Sequence, residues 1–115
     1  TPNTSSAASD VYKRQEFHYN PLGTVHGGLA ATMLDSCNSI SANCQLDKGF
    51  LTMTTDIRVN YFRPMTVSTG EVTASAKIEK IGRRVIFVTG TLGDKDGKIY
   101  ATANSTELIV EFPPK

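Results

Sequence analysis

From Gly27 to Leu46 the chain reads GGLAATMLDSCNSISANCQL, a helical pattern with a single formal charge, Asp35. A helix almost free of charge has to be covered on most of its surface. A carboxylate in such surroundings is costly unless it is paired, hydrogen-bonded or used. The rest of the chain must therefore supply a layer that wraps this helix. Within it, Leu29, Met33, Cys37, Ile40 and Cys44 recur at helical spacing and define one expected buried face. Ala31, Asp35, Asn38, Ser39 and Ala42 form a second face, small and weakly polar, that a backbone or ligand can approach closely.

The wrapping layer is legible as strands. From Leu51 to Tyr61 the apolar residues fall on odd positions (Leu51, Met53, Ile57, Val59, Tyr61), with Thr55 the exception, so the odd side is expected to be buried. From Glu71 to Glu79 the even residues Val72, Ala74, Ala76 and Ile78 take that role. Arg84 to Leu92 is apolar on both sides and reads as a central strand; if Val85 and Phe87 point to the core, Arg83 rather than Arg84 faces solvent. Lys98 to Phe112 is the last strand, reached through Gly93-Asp94-Lys95-Asp96-Gly97, a strong hairpin signal. Gln15 to Tyr19 is a candidate first strand, and residues 1–14 read as a disordered or non-native tail ahead of a single domain over 15–115. The expected fold class is α+β: one long helix against an antiparallel sheet. One helix covers only one side of a sheet, so the other side, or the sheet edge, is expected to meet a partner.

The totals exclude several functions. A net charge of +1 gives no general attraction to nucleic acid or acidic membranes. No apolar run is long enough to span a bilayer. On one helix Cys37 and Cys44 lie roughly 10.5 Å apart, beyond disulfide reach, so reduced thiols and a cytoplasmic location are expected. Two histidines and no C-x-x-C leave zinc without a ligand set. A serine hydrolase would need a G-x-S-x-G elbow and a longer chain, and a phosphate loop of the G-x-x-x-x-G-K-[ST] type is absent.

The chemistry concentrates at the start of the helix. The loop Asn20-Pro21-Leu22-Gly23 leads to His26-Gly27-Gly28. The first amides of a helix have no intrahelical acceptor, and with the helix dipole they suit a developing oxyanion. Taken alone, His-Gly-Gly reads as a tight entry turn and His26 as a satisfied core histidine. Asp35 adds a candidate general base or nucleophile in a water-poor setting. Gly27 and Asp35, eight residues apart, are separated by about 12 Å along one helix, so one chain cannot bring both to the same carbon. Two antiparallel helices across a two-fold axis could, giving two equivalent sites at an isologous interface.

Asn20, Gly23, His26-Gly27-Gly28 and Asp35, together with the element order, resemble the hotdog-fold acyl-CoA thioesterases of the PaaI-like subgroup, in the 4-hydroxybenzoyl-CoA thioesterase superfamily. The resemblance spans residues 16 to 112. It implies hydrolysis of an acyl-CoA, with Gly27 N–H polarising the thioester carbonyl and Gly28 beside it on the substrate. It implies that Asn20 and His26 hold the thioester and its water, that Asp35 of the facing subunit acts, and that Thr54 orients the water. Lys80, Arg83 and Arg84 would hold the CoA phosphates, with Arg63 and Arg58 as lesser candidates. Met33, Leu34, Phe62 and Phe87 are candidates for pocket depth. CoA is part of the substrate, no metal or separate cofactor is implied, and a homodimer or dimer of dimers is expected. The acyl group stays open between aryl-acetyl and fatty chains. A hotdog dehydratase or hydratase acting on hydroxyacyl thioesters is the nearer alternative; a non-catalytic acyl-CoA-binding protein is the more distant one.

Overall fold

A computed structural model describes residues 9–12, 27–66 and 68–113. The elements are β1 (Ser9–Tyr12), α1 (Gly27–Asn43), β2 (Phe50–Tyr61), β3 (Val72–Ile81), β4 (Val85–Asp94) and β5 (Ile99–Glu111). They form one antiparallel sheet in the order β1-β3-β4-β5-β2, with α1 lying across it. This is the expected α+β arrangement of a helix wrapped by five strands. The short β1 lies within the stretch read as a tail; its backbone pairs with Val72–Ser75 at the start of β3. The candidate strand Gln15–Tyr19, together with Asn20, Gly23 and His26, lies outside the described residues.

The helix rests on a floor of small residues. Ala74 and Ala76 on β3, Gly90 on β4, and Ala101 and Ala103 on β5 are all buried beneath it. The stripe it buries is Ala30, Met33, Leu34, Cys37, Asn38, Ser41 and Ala42. This corrects the expected face, because Ile40 and Cys44 point to solvent while Asn38 and Ser41 point inward. Asn38 is held by hydrogen bonds: its Nδ2 donates to Ser105 Oγ at 3.1 Å and to Ala103 O at 3.4 Å. Gly90 makes room for it, since a Cβ there would run into Asn38 Oδ1 and reach Leu34 Cδ2 at 3.2 Å. At the far end Asn43 ties helix to sheet: its Nδ2 donates to Ser39 O, and its Oδ1 accepts from Thr52 N, each at 2.8 Å.

Even positions on β3 are buried as expected (Val72, Ala74, Ala76, Ile78), and β4 is central. On β4, however, Ile86, Val88 and Leu92 face the helix, while Phe87 lies on the outer side and Val85 is only half-buried. The larger departure is in β2. Thr54 pairs with Glu107 and Asp56 with Thr106, leaving Thr55 as a surplus residue in a bulge. A bulge reverses which parity faces inward. Before it Thr52 and Thr54 face the helix, and after it Ile57 and Val59 do. Met53, expected in the core, is therefore 59% exposed on the outer side, paired with Leu108.

The β4–β5 hairpin is built by Asp94. Its Oδ1 accepts from Asp96 N at 2.9 Å and from Lys98 N at 3.0 Å, and Tyr100 Oη donates to its Oδ2 at 3.0 Å. Gly97 supplies the positive φ of +86° that closes the turn.

Candidate active site

Asp35 is half-buried at mid-helix, and the bulge brings Thr54 beneath it. Thr54 Oγ1 lies 2.9 Å from Asp35 Oδ1. It lies equally close, 2.9 Å, to Glu107 Oε1 on β5, and 3.2 Å from Glu107 Oε2. Ser39, one helical turn after Asp35, completes the cluster: its Oγ lies 3.1 Å from Thr54 Oγ1 and donates to Glu107 Oε1 at 3.2 Å. Glu107 is fully buried, at 0% exposure, and no lysine or arginine side chain bonds to it among the described residues. Such a carboxylate depends on the two hydroxyls for its stabilisation. The cluster combines a partly exposed carboxylate, an orientable hydroxyl and a second carboxylate behind it.

Gly27 opens the helix, eight residues before Asp35. Its carbonyl accepts from Tyr61 Oη at 2.7 Å, and a Cβ on Gly27 would meet the Tyr61 ring at 3.2 to 3.3 Å. Gly27, Ala30, Tyr61, Arg63, Met65 and Tyr100 border a cavity of about 290 Å³. Gly28 follows, exposed, and its carbonyl accepts from Thr32 Oγ1 at 2.8 Å. Because Gly27 and Asp35 lie on one continuous helix, the separation of about 12 Å holds within a chain.

The cationic candidates are divided. Arg63 sits at the Gly27 end, on the cavity rim. Lys80, Arg83 and Arg84 are all exposed at the opposite end, where β3 turns into β4 and Arg84 O accepts from Ile109 N. That turn lies close in register to Glu107, which pairs with Ile86. Arg58 borders a separate hollow on the outer side of the sheet with Asp56 and Glu79, away from the helix. Of the pocket candidates, Met33 and Leu34 are buried, while Phe62 is exposed beside Arg63.

Sequence reasoning missed Glu107, Ser39 and Tyr61 as neighbours of the site. The signal for Glu107 was the odd parity of β5, which carries Ala101, Ala103 and Ser105 inward and takes Glu107 with them. The shifted titrations lie at the hairpin instead. Burial raises the Asp94 carboxyl, but hydrogen bonds from Lys98 N, Tyr100 and Asp96 N outweigh it and hold the group below its ordinary 3.8. Burial, and then the bond to Asp94, push the Tyr100 phenol above 10.

The comparisons with known proteins agree. Residues 22–101 match the family model described as the thioesterase superfamily. The mouse (Mus musculus) protein named acyl-coenzyme A thioesterase 13 is 33% identical over 98 residues, 84% of this chain and 69% of that one. A phenylacetic acid degradation-related protein from Ralstonia eutropha superposes with a TM-score of 0.79 at 31% identity, over 87% of this chain and 74% of its own. A Bacillus halodurans protein solved with CoA superposes with a TM-score of 0.82 at 26% identity, over 89% and 66%. With a family match over most of its length and the fold shared with these structures, the chain belongs to the thioesterase superfamily.

Proposed function

We propose that this chain hydrolyses an acyl-CoA thioester to the free acid and CoA, at a site shared by two copies. In each site, Gly27 N–H of one protomer polarises the thioester carbonyl. Asp35 of its partner, with Thr54 at hydrogen-bond distance, receives a proton from the attacking water. The water oxygen bonds to the carbonyl carbon, the tetrahedral intermediate collapses with cleavage of the C–S bond, and Asp35 returns the proton to the departing CoA thiolate. Asn20 and His26 hold the thioester, and Gly28 leaves room for its approach. Lys80, Arg83 and Arg84 hold the CoA phosphates, with Arg63 at the rim.

The single observation that carries this reading is the hydrogen bond between Thr54 on β2 and Asp35 on the helix of a thioesterase-superfamily chain, about 12 Å along that helix from Gly27. The open edge of the sheet supports the shared site. β2 ends the strand order, and pairing it antiparallel with its own copy sets the two helices antiparallel on one side. The Tyr61–Gly27 end of one copy then lies beside the Thr54–Asp35 half of the other. The outer cluster of Met53, Leu108 and Phe87 offers a second contact for a dimer of dimers. No helix among the described residues is long and apolar enough to cross a membrane. With Cys37 and Cys44 both outside any disulfide, a cytoplasmic site of action fits, and the reaction as written uses no resident cofactor.

Thiol release from a panel of acyl-CoA substrates tests the reading, and loss with Asp35→Ala supports it. Mixing Asp35→Ala and Gly27→Val chains should restore about a quarter of wild-type activity, because half of the randomly formed dimers carry one intact site. Absence of rescue in mixtures shown to exchange subunits would overturn the shared site.

A further inference from the structure

We infer that Glu107 is a positioning residue that sets the direction of the Thr54 hydroxyl; the inference rests on the hydrolytic reading above. Thr54 Oγ1 carries one hydrogen, yet it has three carboxylate oxygens within reach: Asp35 Oδ1 at 2.9 Å, and Glu107 Oε1 and Oε2 at 2.9 and 3.2 Å. That hydrogen cannot serve Asp35 and Glu107 equally. Asp35 is partly open to water and can be solvated, whereas Glu107 is sealed at 0% exposure and depends on protein donors. Ser39 Oγ supplies one donor to Glu107 Oε1 at 3.2 Å, and Thr54 supplies the second.

The consequence is chemical. With its hydrogen turned back to Glu107, Thr54 presents lone pairs toward Asp35 and the space in front of it. A water seated there donates one hydrogen to Asp35 and the other to Thr54, leaving its own lone pair for the carbonyl carbon. Were the Thr54 hydrogen aimed at Asp35, it would occupy the base and repel a donating water. Glu107 touches neither water nor substrate; it acts through Thr54. Ser39 Oγ, 3.1 Å from Thr54 Oγ1, closes the cluster from the helix side.

The test uses the full chain, thiol release from an acyl-CoA it turns over, and thermal unfolding of each variant. Glu107→Leu removes both acceptors at similar volume. We expect kcat to fall about 10- to 100-fold, as when groups behind a reacting ligand are removed, with KM within twofold and Tm unchanged or higher, because a fully buried acid side chain without a cation beside it has been replaced by an apolar one. Glu107→Gln keeps an acceptor at Oε1, where both hydroxyls converge, and should recover to within about threefold of wild type. In a Thr54→Val background, Glu107→Leu should cost nothing further. Unchanged kcat in Glu107→Leu overturns the inference, as does a kcat loss that tracks a lowered Tm or multiplies with Thr54→Val. If Glu107→Leu does not fold, Glu107→Gln decides: a kcat within about threefold of wild type supports the inference, and a larger loss at unchanged Tm overturns it. Asp35→Ala run alongside separates the two claims: if it keeps activity the hydrolytic role of Asp35 falls, whereas Glu107 is judged by its coupling to Thr54.

Discussion

Gly90→Ala should loosen the seat of the helix and weaken the site with it. The new methyl would occupy the place of Asn38 Oδ1 and press Leu34 Cδ2 at 3.2 Å. Neither neighbour can yield easily. Leu34 is fully buried, and Asn38 is pinned by its bonds to Ser105 and Ala103. Overpacking of a closed core costs about 1–3 kcal/mol, and loosening the Asn38 bonds adds about 1 kcal/mol. A loss of about 2–4 kcal/mol lowers Tm by roughly 10 °C or more in a domain of this size. Asn38 lies between Asp35 and Ser39 on the helix, so the displacement that relieves the clash also moves both relative to Thr54, and kcat should fall together with Tm. Denaturant unfolding and thiol release on the same preparations measure the two effects. In an Asn38→Ala background, where the space is already vacant, Gly90→Ala should cost less than about 1 kcal/mol. A Tm within 2 °C of wild type for Gly90→Ala alone, or an equal cost in both backgrounds, would refute the reasoning.

Other expectations follow from single contacts. Gly27→Ala places a Cβ against the Tyr61 ring at 3.2 to 3.3 Å; the ring is exposed and can swing, so the fold should hold while thiol release falls at least about tenfold, as when an oxyanion contact is spoiled. Asp94 is held below its ordinary carboxyl value in the fold, so its contribution is present above the unfolded value of 3.8 and is lost as pH falls through the folded one. Unfolding curves of Asp94→Asn should therefore be flatter than wild type below about pH 4. A thiol reagent on the native protein should modify Cys44 rapidly and Cys37 only on unfolding, since one is exposed and the other buried. Met53→Gln should leave the Tm of the protomer fold nearly unchanged, since 59% of the residue is already exposed, while shifting the proposed dimer of dimers toward dimer by light scattering.

The helix and four long strands were readable because each rests on a local period: sparse charge at helical spacing over Gly27–Asn43, and strict alternation over Val72–Ile81. What local pattern could not reveal was the phase of β2. Leu51, Met53, Ile57, Val59 and Tyr61 share one parity, and in a regular strand they would share one side. The bulge at Thr55 divides them, because the sheet needs Thr54 opposite Glu107. Ile40 misled in the same way: its hydrophobicity suggested burial, but the floor of alanines and Gly90 admits the slimmer Asn38–Ser41 side of the helix, where Asn38 Nδ2 bonds to Ser105 and Ala103. The Asp35 neighbourhood was visible as a lone charge, whereas Glu107 was hidden because its partner hydroxyls lie more than fifty residues away in the chain.

The surplus residue in β2 also fixes where this chain tolerates a change of length. Excising Thr55 would leave Thr54 and Ile57 on the sides they now occupy, with only the kink removed. An insertion or deletion that shifted the strand's parity elsewhere would slide Leu51 and Met53 under the helix in place of the two threonines. In an alignment of related chains, a gap opposite Thr55 is therefore silent for the polar cluster, while a gap a few positions away spells its replacement by grease.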